Sequence, residues 1–306
     1  MKIPQPPATL LALVGWAERR LALAPLTYGH GTDNPRDEAA WLVLAGAGYA
    51  PDDPDVDPAT RVDAAAVDAI EVLVRRRIEE RRPTAYLTGR AWFAGLPFRV
   101  NEHVLVPRSP LAEPIAARFA PWIGNRAVDR ILEIGTGCGC IAAACARAFP
   151  EARVDATDVD DRALALAATN LAELGLDGRV ALHRADLFQG LPAARYDLVV
   201  SNPPYVDHAA MEALPAEYRH EPESALAAGQ DGLDVIRPLL MGAGDWLTDE
   251  GLLVVETGRA GAALATRWPR LPLTWLGFDH GGDGVFAVEA EALRGHDFTA
   301  EAAREK

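Results

Sequence analysis

Apolar positions recur along residues 10–88 at helical spacing. From about residue 125 they fall instead into short runs separated by helix-length segments. In "RVDAAAVDAIEVLVRRRIEER" (61–81), Val62, Ala66, Ala69, Ile70, Leu73 and Val74 share one stripe, with arginines and acids opposite. That pattern predicts an amphipathic helix. Earlier apolar patterns predict helices through Leu10–Leu23 and Ala39–Leu44, and "APDDPDVDPAT" (50–60) reads as a Pro/Asp connector. In "AWFAGLPFRVNEHVLVP" (91–107), apolar and polar residues alternate around Gly95-Leu96-Pro97, predicting a short hairpin.

Strands are expected at Arg130–Ile134, Arg153–Thr157, Arg179–His183, Tyr196–Ser201, Gly251–Glu256, Thr274–Phe278 and Val285–Glu289. Helices are expected at Ile141–Phe149, Asp161–Gly175 and Leu233–Leu247. Strand–helix alternation implies a mostly parallel sheet with helices on both faces. Only "DHGGDG" (279–284) separates the last two strands, so they form an antiparallel edge hairpin, with Asp279 and His280 exposed in the turn. The expected architecture is α/β and Rossmann-like, with seven strands and a small N-terminal helical domain. Residues 1–88 form the helical domain, 89–124 a hairpin and linker, and 125–306 the catalytic domain. Sheets of this kind bind ligands beyond the carboxyl ends of their strands.

Composition changes this picture little: 306 residues, 49% hydrophobic and 24% charged, suit a soluble globular protein of two domains. No apolar run approaches the roughly 20 residues that span a bilayer, and "MKIPQPP" lacks the pattern of an export signal. A cytoplasmic location is expected. Cys138, Cys140 and Cys145 are odd in number and have no clustered histidine, so buried thiols fit better than a disulfide framework or a metal site. The net charge of −14 argues against binding free DNA and favours a basic protein partner.

Two stretches carry candidate chemistry. In "ILEIGTGCGCIAAA" (131–144), a buried strand runs into Gly135, Gly137 and Gly139 and then a helix. Glycines there let a ligand approach the backbone. Asp158 ends the next strand, where a carboxylate can accept both hydroxyl hydrogens of a ribose. Glu133 before the glycines would repel a pyrophosphate but tolerate an ammonium group. The loop therefore suits an adenosine with a cationic amino-acid tail, as in S-adenosylmethionine, against the plainer reading of a tight strand-to-helix turn. Asp186, closing the third strand in "HRADLF" (183–188), is placed either to receive the adenine amino group or merely to cap a turn. Together with neighbouring Thr136, Val159 and Leu187, and with Asn202, these residues form the expected cofactor set.

The second stretch, "SNPPY" (201–205), follows the fourth strand and so lies at the same edge. Proline fixes φ and lacks an N–H, and the residue before each proline is held extended. The loop is stiff and rich in unengaged acceptors. Asn202 Oδ1 and the Pro203 carbonyl can hold both N–H bonds of a planar –NH2 group, while Pro204 rigidifies the rim and Tyr205 offers an aromatic face. A side-chain amide, adenine or cytosine meets that description. Held so, its nitrogen is oriented for in-line displacement of a methyl group, and no strong base is required.

At these residues the chain resembles class I S-adenosylmethionine-dependent methyltransferases that modify glutamine in proteins of the translation apparatus. It is most similar to the family acting on the large-subunit ribosomal protein uL3. The resemblance covers nearly the whole chain, including "RPTAYLTGRAWFAGLPFRVNEHVLVPRSP" (82–110), "GTGCGCIA" (135–142), "YRHEPESALAAGQDGLD" (218–234) and "WLGFDHGGDGVF" (275–286). It implies cofactor roles for the Gly135–Gly139 loop, Asp158 and Asp186, and a substrate-amide role for Asn202-Pro203-Pro204-Tyr205. The implied substrate is uL3, free or in an assembling large subunit, and the expected product is S-adenosylhomocysteine. The sister enzymes that modify release factors typically carry P-R-x-D-T-E where this chain reads Pro107-Arg108-Ser109-Pro110-Leu111-Ala112-Glu113, which favours the ribosomal substrate.

Arg108 is either a closure over the cofactor or a surface pair. Arg219 and His220 read as a structural network rather than a peptide groove. Arg75, Arg76, Arg77, Arg81 and Arg82 read as a solvated helix face rather than an RNA-docking patch. The alternatives are a release-factor glutamine methyltransferase, an adenine amino-group methyltransferase, which needs a basic cleft and base flipping, and a non-enzymatic binding module. Nothing in the sequence sets the oligomeric state.

Overall fold

The computed structural model describes residues 2–124, 126–279 and 281–298. His280 lies outside the described residues. The contacts divide the chain into two compact units, and the division is not sequential. Residues 2–91, 100–102 and 215–221 form one; residues 92–99, 103–214 and 222–298 form the other. Of the stretch expected as hairpin and linker, residues 89–91 and 100–102 lie in the first unit and 92–99 and 103–124 in the second, and 215–221, far downstream, belongs with the helices.

In the helical unit, α1 (Leu10–Ala22), α2 (Pro35–Gly46) and α3 (Ala64–Glu80) surround a core built from Leu13, Trp16, Leu21, Leu42, Val43, Ile70 and Val74. Each helix starts where a side chain satisfies open backbone N–H groups. Thr9 accepts from Ala12 N, Asn34 from Arg36 N and Asp37 N, and Asp63 from Ala66 N. A Cβ on Gly46 would come within 2.7 Å of Ile70, so glycine lets α2 and α3 approach closely.

The buried stripe of α3 departs from expectation. It runs through Val67, Ile70, Val74 and Arg77, while Ala69 is exposed. Arg77 is therefore not part of a solvated face. It is 1% exposed and donates to Glu38 Oε1 at 2.9 Å, to Glu217 Oε1 at 3.4 Å and to the Thr27 carbonyl at 2.9 Å. Arg81 donates to both oxygens of Glu217, at 2.9 and 2.7 Å. The 215–221 segment is held by this network. Tyr218 packs its ring 4.4 Å from that of His30, and a His220 ring nitrogen lies 2.9 Å from the Glu80 carbonyl.

The second unit is built on a seven-stranded sheet: β1 (Arg130–Ile134), β2 (Arg153–Asp158), β3 (Val180–Arg184), β4 (Tyr196–Ser201), β5 (Leu247–Glu256), β6 (Thr274–Trp275) and β7 (Val285–Glu289). Their order is β6-β7-β5-β4-β1-β2-β3. β5, β4, β1, β2 and β3 are mutually parallel; β7 runs antiparallel to β5, and β6 antiparallel to β7. This is the mostly parallel sheet with an antiparallel edge hairpin that the strand spacing predicts, with β6 shorter than expected. Strands buried on both faces read as near-continuous apolar runs, as in "RILEI" and "YDLVVS". The helices α4 (Cys140–Ala148), α5 (Asp161–Glu173) and α6 (Ile236–Trp246) follow β1, β2 and β4 in the chain. Strand order reverses between β1 and β4, the point at which such sheets open a crevice. The 91–107 alternation resolves into a hairpin of Arg90–Phe93 and Leu96–Arg99, after which the chain has no regular structure through Ser109. No described helix is long and apolar enough to cross a membrane.

Candidate active site

A cavity of about 260 Å³ opens at the carboxyl ends of β1, β2, β3 and β4. Of the expected site residues it is lined by Glu133, Gly135, Thr136, Gly137, Asp158, Val159, Asp186, Leu187, Asn202, Pro203 and Pro204. Gly139 and Tyr205 are not among its lining.

The glycine loop is shaped by its neighbours. Gly135 N and Thr136 N donate to the Thr157 carbonyl at 2.9 and 2.8 Å, fastening the loop to β2. Gly137 sits at φ +54°, a left-handed conformation that costs a side-chain-bearing residue more than glycine. Its N–H donates to Asp158 Oδ2 at 2.9 Å. Gly139, at φ +85°, caps α4, and a Cβ there would meet Ala167 at 3.2 Å. Its place is the contact between α4 and α5.

Glu133 is almost wholly buried. Its Oε2 accepts the Thr136 hydroxyl at 2.6 Å and the Ala142 N–H at 2.9 Å, while Oε1 has no partner among the described residues. Burial pushes its pKa up to about 7, with the Asp158 charge adding to the rise and the two donors opposing it. Such a carboxyl favours a cation as its missing partner. Asp158 is also raised by burial, against backbone N–H groups including those of Asp160 and Gly137. Leu187 stands at φ +52°, an unusual conformation for a bulky residue, beside a tight turn in which Asp186 and Gln189 exchange backbone hydrogen bonds.

At the end of β4, the Ser201 hydroxyl donates to the Ile134 carbonyl at 2.8 Å, pinning the start of the Asn-Pro-Pro-Tyr loop to β1. Asn202 Oδ1 is buried and has no partner among the described residues. A buried acceptor without a donor costs roughly 1–3 kcal/mol, so its persistence points to a ligand donor. The Tyr205 ring instead packs on the Gly258 backbone, where a Cβ would fall 2.6 Å away, and its hydroxyl donates to Glu256 Oε1 at 2.9 Å.

Part of the lining lies outside the expected cofactor set, apart from Arg108, which is expected either as a closure over the cofactor or as a surface pair. His103, Val104, Leu105, Pro107, Arg108 and Ser109 all face the cavity, as do Ser224 and Ala225. Residues 103–109 lie in irregular chain after the hairpin, and Ser224 and Ala225 in a short 3-10 turn, Glu223–Ala225. Arg108 donates to the Val106 carbonyl at 3.1 Å within the same segment.

The family described as "Methyltransferase small domain" matches residues 119–229. Curated relatives extend over nearly the whole chain. The ribosomal protein uL3 glutamine methyltransferase of Bordetella pertussis is 45% identical over 93% of this chain and 96% of its own length. The protein of the same name from Xanthomonas campestris pv. campestris is 45% identical, covering 94% and 93%. That from Burkholderia pseudomallei is 43% identical, covering 95% and 97%. With this identity over this length, the chain belongs to the ribosomal protein uL3 glutamine methyltransferase family.

Proposed function

We propose that this protein transfers a methyl group from S-adenosylmethionine to the side-chain amide nitrogen of a glutamine in ribosomal protein uL3, in the cytoplasm. The observation that carries the reading is Asn202 Oδ1, a buried acceptor without a partner in a proline-stiffened loop that lines the cavity.

The lining also fits the cofactor. Glu133 Oε1 is a second unpartnered acceptor, at the glycine loop, and takes the ammonium of the amino-acid tail. Asp158 takes the ribose hydroxyls, with Val159 beside it, and the Asp186–Leu187 turn takes the adenine edge. Gly135, Thr136 and Gly137 leave room for the tail by keeping the loop low. When bound, S-adenosylmethionine supplies a methyl carbon activated by a sulfonium leaving group.

The chain's own part is positioning. Asn202 Oδ1 and the Pro203 carbonyl accept the two N–H bonds of the glutamine amide. That draws the nitrogen lone pair out of conjugation and fixes its direction. Pro203 and Pro204 keep the rim from relaxing toward alternative bonds. Deprotonation needs no dedicated base, since the nitrogen that bears both its protons and the new methyl group is transiently cationic and acidic enough to lose one proton to water. A net charge of −14 suits a basic ribosomal protein as the substrate, free or in an assembling subunit. We assign the helical unit to substrate recognition.

The test is transfer of labelled methyl groups from the cofactor to purified uL3, to a release factor and to nucleic acid, side by side. Label confined to one glutamine of uL3 is expected. Label confined to the release factor or to nucleic acid would overturn the assignment.

A further inference from the structure

The Asn-Pro-Pro-Tyr loop has an anchoring problem. Pro203 and Pro204 have no N–H, so two consecutive positions contribute no backbone donor. Its start is held by Ser201 on the Ile134 carbonyl. At its end, the Tyr205 side chain reaches away from the cavity to Glu256, the last residue of β5.

Glu256 is 5% exposed, and its two oxygens are used separately. Oε1 accepts the Tyr205 hydroxyl at 2.9 Å, and Oε2 accepts the Ser109 hydroxyl. Ser109 Oγ in turn accepts the Leu111 N–H at 3.1 Å, so its single proton is committed to Glu256. Ser109, Arg108 and Pro107 line the same cavity as Asn202, Pro203 and Pro204. One buried carboxylate therefore joins two lining segments that share no strand.

We propose that Glu256 is a positioning residue for methyl transfer, fixing the Asn202–Tyr205 loop relative to the Pro107–Ser109 segment through Tyr205 and Ser109. This rests on the amide-holding reading of Asn202. Glu256 touches neither reacting group, and its effect passes through the placement of Asn202. A displacement of about 1 Å at such a group costs on the order of 100-fold in rate. Burial raises the Glu256 pKa, against the two hydroxyl donors and the Arg108 charge. Protonation at low pH removes one acceptor and should loosen one of the two segments.

Glu256→Gln keeps the shape but cannot accept from both hydroxyls, since its amide nitrogen only donates. The full-length variant should retain the melting temperature and bind S-adenosylhomocysteine within about threefold of wild type. Its kcat on uL3 should fall at least about tenfold. At saturating cofactor the acid limb of the wild-type kcat profile should flatten, and amides at residues 205–207 should exchange faster. Tyr205→Phe, which removes only one donor, should show a smaller loss, non-additive with Glu256→Gln.

If wild type methylates uL3 and Glu256→Gln matches it in kcat, with unaltered exchange at 205–207, the positioning role fails while the proposed function stands. Wild type that leaves uL3 unmodified would remove both. Should Glu256→Gln lower the melting temperature, the decision passes to Tyr205→Phe, where an unchanged kcat is equally fatal.

Discussion

The Asp158 carboxylate accepts the Gly137 N–H at 2.9 Å, so the acid at the end of β2 and the loop after β1 form one rigid piece. Its other oxygen accepts the Asp160 N–H at 3.0 Å. With a further backbone bond from Val159 lowering its pKa, the carboxylate still keeps acceptor capacity for a ribose hydroxyl. Asp158→Ala should therefore weaken binding of S-adenosylhomocysteine by about 1–3 kcal/mol for the lost charge-assisted bonds. Calorimetric titration checks this; unchanged affinity would remove the ribose assignment.

Asn202→Ala should separate binding from chemistry. Asn202 Oδ1 has no partner among the described residues, so its removal breaks no bond that holds the ligand-free loop. S-adenosylhomocysteine affinity should stay within a few-fold of wild type. Turnover should fall by a factor on the order of 100–1000, as when a positioned polar group in a transition state is deleted. Rapid-quench measurement of methyl transfer distinguishes this from a binding defect. A variant with normal turnover would contradict the amide-holding role.

Why these residues were legible in the sequence, and others were not, follows from how each is positioned. Glu133, Asp158 and Asn202 sit at strand ends, and strands of this sheet announce themselves as apolar runs. Local pattern thus located the edge where chemistry gathers. The burial of Arg77 is not legible in the sequence, because an arginine in an amphipathic helix counts as polar and its partners Glu38 and Glu217 lie 39 and 140 residues away. The same distance hid Glu256, which is 147 residues from Ser109 and ends a strand as unremarkable in sequence as its neighbours. Tyr205 is legible as part of the motif, yet an aromatic face is read from sequence without its direction. Only the packing against Gly258 shows which way the ring points. Short-range periodicity encodes elements; pairings of buried polar groups across the fold leave no such trace.

The buried Arg77 cluster makes a stability prediction. Arg77→Met removes a cation from between two carboxylates, and breaking a buried pair this way costs about 3–5 kcal/mol. Glu38 would keep the Thr84 hydroxyl at 2.6 Å, and Glu217 would keep Arg81, so the loss should fall at the lower end. Hydrogen exchange in α1–α3 is the readout, and unchanged protection would deny the cluster its weight.

Glu217 in the same cluster should make the helical unit acid-labile. Burial alone would raise its pKa, but the bonds from Arg81 and the Thr27 N–H, with the Arg77 charge, lower it to about 2. A depressed folded value contributes stability that is present above the unfolded value of about 4.5 and is lost as pH falls toward 2. Exchange in α3 should quicken across that window, and Glu217→Gln should flatten the response while lowering stability at neutral pH.

Glu133 gives two pH dependences of opposite sign. Its folded pKa of about 7 lies above the ordinary 4.5 because burial disfavours the charged form. The stability it contributes to the ligand-free protein is complete below about pH 4.5 and is lost as pH rises through 7, by at most on the order of 3 kcal/mol. An ammonium ligand reverses the preference, since it pairs with the ionised carboxylate at Oε1. Below about pH 7, binding must first displace the proton, so affinity for S-adenosylhomocysteine should rise up to roughly tenfold per unit as pH increases toward 7. Methylthioadenosine, which lacks the amino-acid tail, should bind with no such slope. Glu133→Gln should abolish both trends while leaving the methylthioadenosine affinity near wild type. Parallel pH titrations of ligand-free stability and of the two affinities test this. Equal slopes for the two ligands would show that Glu133 does not meet the ammonium group, whatever the origin of its raised pKa.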